Sequence, residues 1–279
     1  DKDIAFTLVV DDFAVKYGNK EDAEALIEHI RRKYTLKVDW EAQQYIGISL
    51  KWDHIKHQVE LSMEDYVKQA LKELEHQAPK RFECAPSHMV RPNYGQPVQY
   101  AETDETEALN AAQIKHKQRA VGKFLFYGRA IDNTMLHSLN NIATSKDTKA
   151  TLQAVTHFLN YAASNPQAKI VYRASEMALQ GDSDAAYLVC EGAKSRAGGY
   201  VFLGDPRGEM FNGPIHVLAK VIKHVMSSAA EAEMIALFMN AQEMVPMRMC
   251  LEELGHPQGP TTINTDNSTA AGIANNTIK

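Results

Sequence analysis

The clearest regularity along the chain is the spacing of apolar positions. Ile4, Phe6, Leu8 and Val10 alternate with intervening residues, a strand signature. Asp11-Asp12 interrupts the run and Phe13-Ala14-Val15 resumes it, which predicts a hairpin with two acids at its bend. Asn19, with Asp22 three residues later, marks a helix start, and Ala23, Ile27, Ile30 and Tyr34 keep one apolar face. Ile46, Ile48, Leu50 and Trp52 alternate as a further strand, with Val59 and Leu61 returning antiparallel after a polar turn. Ser62 and Asp65 have the spacing of a capping box, ahead of a helix bearing Val67, Leu71 and Leu74.

Periodicity is lost from Gln77 to about Thr106, where Pro79, Pro86, Pro92 and Pro97 fall, and a linker is expected over 77–110. From Ala111 to Asn165 the spacing is helical, with breaks near Asp132-Asn133 and Ser145-Lys146-Asp147, predicting three helices. Lys169 to Val189 reads as short strands. Beyond it strand and helix alternate: Tyr187 to Cys190, Gly199 to Leu203, Ile215 to Ile222, a helix from about Ala229, another from Pro246 to Leu254, a strand Thr262 to Thr265, and a helix from Ser268. Three strands followed by helix, strand and helix predict a layered α/β domain.

Composition changes this picture little. With 279 residues the chain has length for two domains, and 44% hydrophobic against 23% charged residues is ordinary for a globular protein. Apolar runs stay far below the roughly 20 residues of a membrane span, and no signal peptide leads the chain. The start at Asp1 reads as a cut or processed end. Cys84, Cys190 and Cys250 are scattered without metal-ligand spacing, which fits a reducing interior. The net charge of −5 does not suggest a polyanion binder, but charge is uneven. Between Asn110 and Ala150 seven Lys or Arg face two Asp, centred on Lys115, His116, Lys117, Arg119, Lys123 and Arg129. The strip reads either as a solvated helix face or as a phosphate-contacting surface.

Two acidic constellations stand out. Adjacent carboxylates at Asp11-Asp12 repel, and their bend lacks the Gly or Asn that tight hairpins favour, so a divalent cation would offset the repulsion. An ordinary acidic turn would look the same. Second, Asp184 lies at the front of a predicted strand, Glu233 on a helix, and Asp266 between a strand end and a helix. Strand acid, helix acid and strand-end acid is the order in which a ribonuclease H fold gathers carboxylates around two magnesium ions about 4 Å apart. Singly, each is a surface residue or a cap; Asp266 has the position of an N-cap.

Val9-Val10-Asp11-Asp12 resembles the Tyr-Val-Asp-Asp box of reverse transcriptases. Downstream, Ile46-Gly47-Ile48, Leu61-Ser62 with Tyr66, and Cys84-Ala85-Pro86 stand in the order seen in copia-type long-terminal-repeat retrotransposon Pol polyproteins. So do Val121-Gly122-Lys123-Phe124-Leu125-Phe126-Tyr127, Arg129-Ala130-Ile131-Asp132 and Phe158-Leu159-Asn160-Tyr161. Ser183-Asp184-Ala185, the run Lys194 to Tyr200, Ser227-Ser228 with Glu231-Ala232-Glu233, and Thr265-Asp266-Asn267 are similar to that family's ribonuclease H boxes.

The resemblance covers nearly the whole chain. It implies a mixed α/β and α+β architecture: a partial reverse-transcriptase palm and start of the thumb over 1–76, the irregular linker, a helical thumb or connection over 111–167, and a ribonuclease H-like mixed-sheet domain over 168–279. It implies RNA-directed DNA synthesis and hydrolysis of RNA in RNA–DNA hybrids by the intact parent, or else a catalytically inactive or domesticated remnant that binds nucleic acid or only folds. Asp11 and Asp12 match polymerase metal ligands; Asp184, Glu233 and Asp266 match three of four nuclease ligands, for magnesium or manganese. Glu233 is preferred to Glu231 because Ala236 follows it by three, as in the family, while Glu231 lies about 200° away around the helix.

Implied partners are RNA–DNA hybrid, primer-template and the upstream polymerase segments of the same polyprotein, in an intracellular setting, a cytoplasmic particle or the nucleus, with no membrane. Lys194 and Arg196 join Lys115, Lys117, Arg119 and Lys123 as candidate backbone contacts, a solvated turn being the other reading of the first two. The chain departs from the family pattern in having Val9 for Tyr and no upstream palm Asp. It also stops at Lys279, before the family's closing His and fourth Asp, so the nuclease domain is expected to be truncated.

Overall fold

The computed structural model describes residues 4–88 and 103–277, a mixed arrangement of helices and sheets as the pattern predicts. Strands β1 (Ile4–Val9) and β2 (Asp12–Tyr17) form an antiparallel hairpin in which Val9 pairs with Asp12. Val10 leaves the expected strand and forms the turn with Asp11, at φ 56, a costly conformation for a β-branched residue. Helix α1 (Lys20–Arg31) follows, capped by the Asn19 side chain, which accepts from the Glu21 amide. It ends before Tyr34, which is exposed rather than part of an apolar face.

A second sheet has the order β3 (Gln44–Tyr45), β4 (Ile48–Asp53), β5 (Gln58–Ser62), β6 (Lys169–Arg173), every neighbour antiparallel. Ile46 and Gly47, at φ 46 and φ 79, turn the chain between β3 and β4, so the strand expected from Ile46 begins at Ile48. The capping box expected at Ser62 and Asp65 does not form. Ser62 is still pairing in β5, and the Asp65 side chain makes no cap bond to α2 (Tyr66–Glu73).

Three helices follow as expected, α3 (Ala111–Ala130), α4 (Met135–Thr144) and α5 (Lys149–Ser164). Asn110 and Gln113 close a reciprocal capping box on α3. With α2 and the second sheet these helices bury Val67, Phe124, Tyr127, Met135, Leu139, Val155, Phe158 and Leu159 in one core. Of the expected linker, 77–88 and 103–110 hold no helix or named strand; the rest, with Pro92 and Pro97, lies outside the described residues.

The third sheet runs β9 (Pro214–Val221), β8 (Lys194–Gly204), β7 (Ala178–Cys190), β10 (Thr262–Asn264). Strands β7, β8 and β9 are antiparallel neighbours, whereas β10 lies parallel to β7, reached through helix α6 (Ala229–Glu253). A parallel partner requires such a crossover. The two helices expected either side of Pro246 are one: α6 runs through the proline despite its missing N–H. Leu179, Val201, Met244 and Leu251 fill one part of the space between α6 and the sheet, and Ala197, Leu218, Ile222, Ala232 and Ala236 the other. The short helix α7 (Ser268–Ala274) ends the described chain.

Residues 169–173, expected to open the C-terminal domain, pair with β5 instead, so a boundary at 168 separates two hydrogen-bonded strands. Polar contacts then join the two regions: Tyr172 Oη donates to the Pro214 carbonyl at 2.7 Å, and the Arg173 amide to Asn212 Oδ1 at 2.8 Å.

Candidate carboxylate metal centre

Each of the three acids is placed by a different element. Asp184 stands within β7, opposite Gly198 of β8, and its side chain is exposed. Glu233 comes from the first turns of α6, whose start is well defined. Ser228 caps the helix by accepting from the Glu231 amide, and the Glu231 carboxylate accepts from the Ser227 amide at 2.7 Å and hydroxyl at 2.9 Å. Glu231 is thus spent on the helix end, and Glu233, about 200° further round, turns toward the sheet.

Asp266 lies between β10 and α7. The N-cap of α7 is its neighbour Asn267, which accepts from the Ala270 amide at 2.9 Å, so Asp266 is not the cap. One carboxylate oxygen from each of Asp184, Glu233 and Asp266 lies within 4.8 Å of the others.

Electrostatically the cluster is strained. Glu233 is 6% exposed, and burial, followed by the charges of Asp184 and Asp266, raises its pKa above the usual carboxylate range. The Ala185 amide opposes this by donating to its Oε1 at 3.2 Å. The Thr265 side chain opposes it as well, while the buried Oε2 of Glu233 has no donor at good hydrogen-bonding geometry. Among the described residues no lysine or arginine is recorded in an ion pair with any of the three. A divalent cation fits this set: oxygen ligands, net negative charge and a buried oxygen with a free lone pair.

Asp11 and Asp12 occupy the exposed tip of the β1–β2 hairpin as expected, but no third acid joins them among the described residues. The basic candidates divide. Lys115 and Lys194 are exposed. Arg119 donates to the Glu73 carbonyl at 2.9 Å and Lys123 pairs with the Glu73 carboxylate, so both brace α3 against α2. Lys117 is buried, paired with Asp147 at 2.7 Å. Arg196 is buried too, donating to Asn140 Oδ1 at 2.9 Å and to Asn141. Both are almost sealed from solvent, each with its charge already engaged by a neighbouring side chain. The Ala185 amide that anchors Glu233 was not foreseeable, since it depends on the register of β7 against α6.

The molecule is therefore a mixed-sheet protein carrying a three-carboxylate centre where a strand, a helix and a strand end converge. No family model matches the chain. It is similar to the retrovirus-related Pol polyprotein from transposon TNT 1-94 of Nicotiana tabacum, 22% identical over 277 residues. That match covers 99% of this chain and 20% of the polyprotein, so the chain spans about a fifth of its relative. The resemblance to a copia-type Pol polyprotein read from the motifs is borne out by this relationship. No helix among the described residues is long and apolar enough to cross a membrane.

Proposed function

We propose that the chain is the reverse-transcriptase/ribonuclease H part of a retroelement Pol polyprotein, and that its C-terminal unit hydrolyses the RNA strand of RNA–DNA hybrids, leaving a 3′-hydroxyl. The convergence of Asp184, Glu233 and Asp266 within 4.8 Å carries this reading. The strand order, with β10 parallel to β7 after a helical crossover, supports it by bringing the acids of β7 and of the β10 end side by side.

Magnesium, or manganese in its place, would be held by these three carboxylates and would supply charge at the scissile phosphate and an activated water. Asp184 and Asp266, both exposed, face arriving substrate. Glu233, anchored to the Ala185 amide, fixes the third ligand position from within the fold. The acids hold and orient; none is asked to attack phosphorus. Of the basic candidates, Lys115 and Lys194 are exposed and so remain available to a phosphate backbone. In the parent, Asp11 and Asp12 would serve the polymerase, and the setting would be a cytoplasmic particle or the nucleus.

Incubation of the purified chain with labelled RNA–DNA hybrid and magnesium or manganese should give RNA cleavage that Asp184→Asn abolishes, by a factor of 100 or more given the loss of a ligand charge. Cleavage that survives Asp184→Asn sinks the site. Binding of hybrid without cleavage at saturating manganese would withdraw the hydrolytic claim for this chain.

A further inference from the structure

We infer that Asn240 is a positioning residue for the carboxylate centre, setting the distance between Asp184 and Glu233; this rests on the metal-centre reading above. Asn240 lies seven residues, about two turns, beyond Glu233 on α6 and so on the same face of that helix. It is 1% exposed. The two N–H groups of its side chain are divided among three acceptors: Ser183 Oγ at 3.0 Å, the Gly198 carbonyl at 2.9 Å and the Ala236 carbonyl at 3.0 Å.

Ser183 precedes Asp184 in β7, and Gly198 is the residue paired with Asp184 across the ladder to β8. On the other side of Asp184, the Ala185 amide is held by Glu233 itself. Asp184 is therefore bracketed by two attachments to α6, one from Glu233 and one from Asn240. Helix α6 can neither slide along nor roll over β7 without breaking one of them. A single polar attachment at Glu233 would leave the setting of the helix to apolar packing, which is not directional.

Gly199 shows how close the approach is. A β-carbon there would stand 1.7 Å from Asn240 Oδ1, so only glycine leaves room for the amide to reach the sheet. Asn240 Oδ1 accepts no hydrogen bond where it is buried. A polar side chain packed so tightly with an acceptor unmatched costs stability that an apolar residue would spare. What it returns is directional hold on the strand that carries the ligand, a constraint that apolar packing cannot impose as sharply. Groups hydrogen-bonded directly to metal ligands commonly contribute a factor of about 10 to 100 in metal affinity. Asn240 holds the residues flanking a ligand, one step further out, which sets its effect at the low end of that range.

The test is a titration of the full chain with manganese, followed by calorimetry well below the unfolding midpoint. Circular dichroism reports the folded state of each variant. Wild type should bind manganese and Asp184→Asn should not; failure of wild type to bind removes the metal-centre reading and this inference with it. Given wild-type binding, Asn240→Ala should lower affinity on the order of 10-fold. Leu159→Ala, which damages the other core, should lower stability but leave affinity unchanged, separating positioning from general weakening. If Asn240→Ala does not fold, Ser183→Ala, which removes one of the three bonds, should lower affinity several-fold. Wild-type affinity in whichever of these two variants is folded overturns the inference.

Discussion

Three carboxylates within 4.8 Å of one another repel, and Glu233 is in addition almost sealed from water. Its charged form is therefore disfavoured twice, by desolvation and by its neighbours, with the Ala185 amide as partial compensation. Replacing it by the neutral isostere removes both penalties. Glu233→Gln should accordingly raise the melting temperature in the presence of a chelator, by roughly 2–4 °C if the gain is near 1 kcal/mol, while manganese ceases to raise it further. An unchanged melting temperature in chelator would show that the charge is already neutralised, and a lower one that the bond from the Ala185 amide outweighs both penalties. At this scale the sequence was legible where a side chain's role follows from its own element. Glu233 could be told from Glu231 because Ala236 follows it by three, as the family resemblance implies, and helical phase then turns Glu231 about 200° away. Lys117 and Arg196 could not be recognised as buried, because their partners Asp147, Asn140 and Asn141 sit on other elements. Asn240 was silent for the same reason.

Among the elements, α6 departs most from its sequence pattern. Proline normally ends a helix because it lacks a donor and its ring crowds the preceding turn, and the helix was accordingly expected to break at Pro246. Burial overrides that preference: Met244 and Leu251, on either side of the proline, both fill the core against β7 and β8, and a break would withdraw one of them. Pro246 itself is exposed. Pro246→Ala should restore the missing hydrogen bond and stabilise the protein by about 1–3 kcal/mol, read as an increased urea midpoint at unchanged slope. No change would mean that the helix is already relaxed around the ring. The three helices α3, α4 and α5 were legible nearly to the residue because each has strong periodicity and polar breaks. Turns were less so. Ile46 and Gly47 continue an apolar alternation that the left-handed backbone at both positions interrupts.

Across the whole molecule, histidines report how the fold responds to acid. Burial lowers the pKa of His76, His137 and His216 below 6.5, so each prefers to stay neutral in the folded chain. The unfolded chain binds these protons first as pH falls. Their contribution is present above pH 6.5 and is lost as pH drops through the lowered folded values. Urea midpoints should therefore decline between pH 7.5 and pH 5.5, and replacing His76 by Gln should flatten that decline. An equal decline in the variant would assign the acid sensitivity to other groups.

One feature of the topology bears on how the chain comes to be folded at all. Strand β6 closes the edge of β5, yet Ser62 and its partner Lys169 are separated by more than a hundred residues, all of α2 to α5 intervening. During synthesis from the N-terminus, β5 emerges long before β6, and its outer row of amides and carbonyls is left unpaired meanwhile. Such an open edge invites pairing with the wrong strand. Closure over so long a separation slows the search, because loop entropy is spent before the pairing rewards it. The helical core can assemble first from local contacts and carry residue 169 back to the sheet. The N-terminal region is thus complete only once the ribosome has passed residue 173, by which point the first residues of the sheet that carries Asp184 are already close behind.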